Sequence, residues 1–318
     1  MDSYYTCEFA KKRVYLNKSM NEKTNTGDSS QITRDYFDSL LVEMRHIDGV
    51  LPSTKMELFG EKFSTPIMLA ALSHLKETHP DGLVEVAKGV KAAGAVMWAG
   101  MGDEAELEAI TATGAKTIKI IKPYSDNKLI LKKIEHAGKC GCLAVGMDID
   151  HAFNKKGKYD IVHNIEMRPK SLDEIRDFVK AAKLPFIVKG ILSEQDTHKC
   201  LDAGVRGIVV SHHHGHIDYA LPPLRILTDI ARIVRKQIPV FVDCGIERGM
   251  DAFKALALGA DAVSLGRIIL PPLKEQGAEG VRKLFTEMTE ELAGVMAATG
   301  SRDIQHIDPS LIWPSERK

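Results

Sequence analysis

The stretch Pro185-Phe-Ile-Val-Lys-Gly-Ile-Leu-Ser-Glu-Gln-Asp-Thr-His-Lys-Cys-Leu-Asp-Ala-Gly-Val-Arg-Gly-Ile-Val-Val-Ser211 holds one complete strand–helix–strand unit. Residues 186–190 and 207–211 are short apolar runs rich in β-branched residues. Residues 193–203 between them read as a helix. It starts with Ser-x-x-Asp, a pairing that satisfies orphan first-turn amides, and stops at Gly204. Neither run alternates apolar with polar, so each strand is buried on both faces, as in a parallel sheet.

The same unit recurs on both sides. Strands are predicted at 66–72, 95–99, 117–121 and 143–149 upstream, and at 239–243 and 262–266 downstream. Helices are predicted at 82–93, 104–113, 127–137, from Ser171 onward, at 249–258 and at 281–299. Eight strands alternating with about eight helices predict a single α/β domain, a (β/α)8 TIM barrel. The competing doubly wound sheet would place Gly-x-Gly-x-x-Gly after its first strand, and none is there. Residues 56–63 read as a hairpin turning near Gly60. Residues 1–35, which include the polar run 18–30, are expected to form a loosely ordered arm, with the barrel spanning 36–318 and a tail from Asp308 onward. Lys11-Lys-Arg13 reads as a solvated charge run.

The 318 residues are 44% hydrophobic and 27% charged, the balance of a soluble globular chain with a large core. Lys+Arg and Asp+Glu are equal at 43 each, which gives no electrostatic ground for nucleic acid or an anionic membrane as partner. Five irregularly spaced cysteines and a polar N-terminus lead us to expect reduced thiols in a cytoplasmic protein.

In a TIM barrel the chemistry lies at the C-terminal strand ends. Those ends carry Ser73 and His74, Gly100, Lys122, then Asp148, Asp150 and His151, then Lys189, Ser211 with His212, His213, His214 and His216, then Asp243, and finally Gly266 and Arg267. Burying so many polar groups unpaired would cost several kcal/mol each, about 2–7 by transfer estimates. Glycine-rich loops after strands seven and eight, with Arg267, make a phosphate cradle. Lys189 closes the run Phe-Ile-Val and needs an anionic partner, which leaves a Schiff base, a ligand phosphate or a reduced cofactor ring as its role.

Four ordered segments carry a family resemblance: Pro185-Phe-Ile-Val-Lys-Gly-Ile-Leu192, Gly204-Val-Arg-Gly-Ile-Val-Val-Ser-His-His-His214, Phe241-Val-Asp-Cys-Gly-Ile-Glu-Arg-Gly249 and Phe253-Lys-Ala-Leu-Ala-Leu-Gly-Ala-Asp-Ala-Val-Ser-Leu-Gly-Arg267. They resemble the FMN-dependent α-hydroxy-acid oxidase/dehydrogenase family. The likeness is dense from 184 to 267, continues through Gly300-Ser-Arg-Asp-Ile304, and thins from 63 to 150. It implies an FMN oxidoreductase, with hydride passing between a small 2-hydroxy-acid-like substrate and flavin N5. It also implies a homo-oligomer, commonly a tetramer, and leaves the electron acceptor open. By the same resemblance Lys189 faces the flavin ring and Ser211 contacts it. Asp243, Gly245, Arg248, Gly266 and Arg267 match the ribityl and phosphate site, and Ala70 and Ala71 lie against the ring. His213 takes the place of the acid/base histidine, and Asp150 that of the carboxylate orienting it.

The substrate side departs from the family. The family pattern is Ser-Asn-His-Gly-x-Arg, whose arginine holds the substrate carboxylate; here the string is Ser211-His-His-His-Gly-His216. Lys122 stands for a tyrosine, Asp148 for a threonine, and Glu247 for a phosphate-site arginine beside Arg248. A neutral imidazole cannot replace a bidentate guanidinium, while Lys122 supplies a positive charge from a neighbouring strand end. Substrate contacts are therefore assigned to Lys122, His216 and Asp148. An FMN-dependent isomerase on the same barrel is the alternative activity. A metal site built from the histidines and Asp150 is disfavoured, because adjacent side chains on an extended chain diverge. No metal is assigned.

Overall fold

The computed structural model describes residues 27–315. The charge run Lys11-Lys-Arg13 and Cys7, one of the five cysteines, lie outside them. Eight parallel strands form the central sheet: β1 Ile67–Leu69, β2 Met97–Ala99, β3 Thr117–Ile121, β4 Ala144–Asp148, β5 Phe186–Ile191, β6 Gly207–Val210, β7 Val240–Val242 and β8 Ala262–Leu265. Each pairs in register with its chain neighbours, and β8 pairs with β1. The Leu69 amide donates to Val96 O at 3.1 Å, and a parallel bridge joins Leu72 to Ala99. These contacts close β1 onto β2 and complete the (β/α)8 barrel. Almost every strand residue is buried, which is why the runs show no alternation.

The helices stand where the apolar periodicity puts them, within one or two residues at most ends: Gly82–Ala92, Glu104–Ala112, Asn127–Lys139, Leu172–Ala181, Glu194–Ala203 and Gly249–Ala257. Ser171 and Glu174 form the reciprocal capping box, and the Ser193 side chain accepts the Asp196 amide. The last helix runs Leu270–Ala298 with a break at Gly277, so it begins earlier than residue 281. A further helix, Pro223–Val234, lies between β6 and β7; it opens on Pro222-Pro223 and buries Leu224, Leu227, Ile230 and Val234.

Two expectations about the chain ends are corrected. Residues 29–35 are not a loose arm: the helix Ser29–Asp38 crosses the boundary drawn at residue 36. Asp28 caps it, Ser29, Thr33 and Phe37 are buried at i, i+4 and i+8, and Arg34 donates to both oxygens of Asp251. The end of the chain is not a tail either. Ile312–Pro314 pairs antiparallel with Leu40–Val42, and Leu311 is buried beneath it. The predicted 56–63 hairpin is present as Met56–Leu58 with Glu61–Phe63. No helix among the described residues is long and apolar enough to cross a membrane.

Candidate active site

Backbone irregularity marks the barrel mouth. His74, His213, His214 and Cys244, all in loops after barrel strands, hold positive φ of 58°, 49°, 58° and 64°. Such strain persists where the surroundings over-determine it, and it clusters at functional sites. In β5 the register slips between Lys189 and Ile191, a bulge centred on Gly190 (φ 99°). A Cβ at Gly190 would fall 2.8 Å from Asp150 Cγ, so only glycine lets the β4 and β5 ends come this close.

Lys189 is the hub. Its buried ammonium lies 3.2 Å from Asp243 Oδ2 and 3.4 Å from Asp148 Oδ1, and donates to Ser211 Oγ at 3.2 Å. Burial opposes the charge, but Asp148, Asp243 and Asp150 outweigh it and hold Lys189 well above the usual lysine range. Burial would likewise raise Asp243, yet Lys189, Ser211 and Cys244 keep it below the ordinary carboxylate value.

His213 stands beside this hub. Its backbone amide donates to Ser211 Oγ at 3.0 Å, and its Nδ1 lies 2.9 Å from Asp150 Oδ1 and 3.2 Å from Asp148 Oδ1. Burial and the Lys189 charge pull the imidazole down; hydrogen bonding and attraction to Asp148 and Asp150 more than offset them, so its pKa is raised. The two carboxylates are driven apart. Burial and the Asp148 charge raise Asp150, whereas Asp148, despite burial, is held well below the usual range by Lys189, His213 and Lys122. Lys122 donates to Asp148 Oδ2 at 2.7 Å.

The other histidines separate by role. His212 Nδ1 accepts the Gly215 amide at 2.9 Å, so its Nε2 carries the proton and donates to Thr33 Oγ1 at 2.7 Å. It braces the loop against the helix Ser29–Asp38. His216 Nε2 meets the Phe153 carbonyl at 2.9 Å. His151, named above only as a strand-end residue, reaches His213 Nε2 at 2.8 Å. His163, in a stretch not singled out from the sequence, sits at the turn joining Ile161–Val162 to Ile165–Glu166, and its Nε2 lies 3.1 Å from His74 Nε2 across the mouth. Asp148, Asp150, His151 and His213 offer ligand atoms within 4.8 Å of one another. The ammonium groups of Lys189 and Lys122 already answer the charge a cation would bring. His213 belongs to this cluster, and His214 and His216 stay outside it.

Toward the predicted phosphate cradle, Gly266 opens onto space, with nothing within 4 Å of a Cβ placed there. Arg267 is exposed, and its side chain makes no hydrogen bond or ion pair among the described residues. Arg248 is engaged elsewhere, 3.5 Å from Asp38 and 3.7 Å from Asp251.

The FMN-dependent dehydrogenase family model matches residues 13–172 and 165–314. The chain is 30% identical over 302 residues to the peroxisomal (S)-2-hydroxyacid oxidase GLO3 of Arabidopsis thaliana, covering 84% of this chain and 82% of that one. It is 28% identical to the glycolate oxidase of Spinacia oleracea, covering 87% and 85%. The crystal structure of mandelate oxidase superposes with a TM-score of 0.82 at 27% identity over 89% of each chain.

The residues present fit FMN. A phosphate suits the open Gly266 position and the unengaged Arg267 guanidinium, and a ring that becomes anionic on reduction suits the buried Lys189 ammonium. With model, relatives and fold in agreement, the chain belongs to the FMN-dependent dehydrogenase family and is an FMN-dependent oxidoreductase.

Proposed function

We propose that this enzyme interconverts a small 2-hydroxy acid and the corresponding 2-oxo acid, with His213 as acid/base. The observation that carries the reading is His213 Nδ1 at 2.9 Å from Asp150, beside the Lys189 hub. Bound FMN supplies the hydride acceptor. Asp150 fixes the tautomer by holding the proton on Nδ1, which leaves Nε2 to exchange a proton with the substrate hydroxyl. Ser211 holds the His213 backbone in place, and Lys189 provides fixed positive charge at the ring. Ala70, Ala71, Asp243, Gly245, Gly266 and Arg267 complete the cofactor site in this reading. Lys122 is the cation offered to a substrate carboxylate, which must share it with Asp148, and His216 borders the same side. Relatives named for 2-hydroxy-acid, glycolate and mandelate oxidation support the class.

Anaerobic mixing of purified, flavin-loaded protein with a panel of 2-hydroxy acids tests it. Bleaching of the flavin band is expected with at least one member; a band bleached by none of them, yet restored from the dithionite-reduced state by 2-oxo acids, would assign the reductive direction. A flavin inert to both classes would overturn the reading. Oxygen uptake against quinone reduction identifies the acceptor. A cytoplasmic homo-oligomer belongs to the same proposal. It is supported by the free thiols of Cys140, Cys142, Cys200 and Cys244, and by exposed apolar side chains at Met44, Ile47, Val50 and Leu51, a surface suited to a second copy. Light scattering reads the assembly state.

A further inference from the structure

A second imidazole occupies the substrate-facing edge of His213. The rings of His151 and His213 stand nearly perpendicular, with centroids 4.1 Å apart and Nε2 facing Nε2 at 2.8 Å. The far nitrogen of His151, Nδ1, lies 3.4 Å from Asp160 Oδ2, and both side chains are about one-fifth exposed. A continuous line of polar groups therefore runs from half-buried Asp150 through His213 and His151 to Asp160, nearer the solvent.

Proton counting fixes the arrangement. Each Nδ1 faces a carboxylate and so carries a proton. Two ring nitrogens 2.8 Å apart hold one proton between them, since none gives repelling lone pairs and two collide. With a proton on His213 Nε2, the state that follows oxidation of the substrate, the pair thus carries three protons, and one ring is an imidazolium. That ring is His213, which faces Asp148 and Asp150. His151 has Asp160 at 3.4 Å and a ligand nitrogen within 4.8 Å of Asp148 and Asp150, lies in the repelling fields of Lys122 and His213 with Asp148 a weaker attraction, and has His216 at 5.8 Å. Burial, then Lys122 and His213, push His151 down to about 4, so it is the neutral acceptor.

We propose that His151 is a proton relay that resets His213 between turnovers. The proposal takes its proton source from the hydroxy-acid reading. Oxidation of R–CH(OH)–COO⁻ to R–CO–COO⁻ sends one hydride to the flavin and one proton to His213 Nε2. While substrate is bound, its hydroxyl takes the place of His151 at that nitrogen. After product leaves, His151 Nε2 returns to the contact. An N–H bond forms there as the one on His213 Nε2 breaks, and the N–H on His151 Nδ1 breaks as an O–H forms on Asp160, which releases the proton to water and leaves His213 neutral. When the next substrate displaces His151, its ring gives the Nε2 proton to water and takes one back on Nδ1 from water by way of Asp160, so that the accepting nitrogen is bare again when the contact re-forms. Only a proton moves along this line; the electrons leave separately to the acceptor.

Nitrogen NMR of holoenzyme labelled with ¹⁵N-histidine tests the arrangement without turnover. Below the raised pKa of His213, that ring is expected to be protonated on both nitrogens and His151 on Nδ1 alone. Above it, His213 is expected to keep only its Nδ1 proton while His151 carries its proton on Nε2; a charged His151, or one whose proton stays on Nδ1 as His213 loses its own from Nε2, would overturn the relay whatever the substrate proves to be. In kinetics, His151→Gln keeps a hydrogen-bond partner for His213 but cannot pass a proton. Its kcat in dilute buffer is expected to fall roughly tenfold or more, with KM changed much less, as for loss of one proton-transfer group. Free imidazole is expected to restore His151→Ala in proportion to the base added, which a packing defect would not show. Wild-type kcat in His151→Gln, or a loss indifferent to buffer, sinks the proposal. A wild type that oxidises no 2-hydroxy acid would instead refute the substrate reading, and the NMR result would still decide the proton arrangement.

Discussion

At the ends of β5, β6 and β7, one buried ammonium, Lys189, is held by Ser211 and Asp243 at 3.2 Å each. At the ends of β3 and β4, Lys122 and Asp148 close a pair of their own at 2.7 Å, and His151 covers the working nitrogen of His213. The first region is arranged around a group still to be bound: Gly266 faces open space and Arg267 is free of partners among the described residues. The second is satisfied internally, its cation answered by a carboxylate and its base by another base. A cofactor shared by a family constrains one wall of the mouth, while the opposite wall can be rewritten by a few side chains on separate strand ends, provided that its buried charges are changed in matched sets.

The sharpest way to break this comparison is at His213, where the two walls meet. His213→Gln is expected to cut kcat by roughly 10²–10⁴ with the flavin spectrum kept, the range for removing a general acid/base. Retained turnover would place the base elsewhere. On the substrate wall, Asp148→Asn leaves Lys122 and Lys189 without the carboxylate between them. Breaking one side of a buried ion pair costs about 3–5 kcal/mol, so the urea midpoint is expected to fall; an unchanged midpoint would show that this wall is not held by the pair. On the cofactor wall, Arg267→Ala removes charge-assisted hydrogen bonds worth about 1.5–3 kcal/mol, or roughly ten- to hundredfold in the dissociation constant of FMN by fluorescence titration. Saturating FMN is expected to restore turnover, which separates this variant from the other two.

The cofactor wall was the more legible of the two in the sequence. Lys189, Ser211 and Asp243 each end an uninterrupted apolar run, so strand and site could be read from one pattern, and the structure brings the three together. The helix Ser29–Asp38 was hidden because two of its three buried positions are the hydroxyl residues Ser29 and Thr33, which composition counts as polar. Pro223–Val234 did carry a signal, apolar residues at 224, 227, 230 and 234 after a proline pair. The link from His151 to His213 was not readable at all. It spans 62 positions and joins the segments after β4 and β6, two strands that are not neighbours in the sheet. The role of Arg248 was likewise a matter of side-chain direction, and its partners Asp38 and Asp251 come from two different helices.

The smallest effect expected bears on how the substrate wall is charged. His151 is held near 4 when folded, against an ordinary value of about 6.5. Between those two pH values the unfolded chain binds a proton at this position that the folded protein refuses, so stability falls as the pH falls, by at most about 1 kcal/mol per pH unit. His213 has the opposite sign. Its raised value adds stability that is complete below its unfolded pKa and is lost as the pH rises through the folded one. In the wild type the two contributions partly cancel. His151→Gln removes only the first, so its stability relative to wild type is expected to rise steadily as the pH is lowered from about 6.5 toward about 4, read as the difference between the two melting temperatures at each pH. Parallel curves would mean that His151 titrates as an ordinary histidine, and the substrate wall would then hold two interchangeable imidazoles instead of one that keeps the proton and one that refuses it.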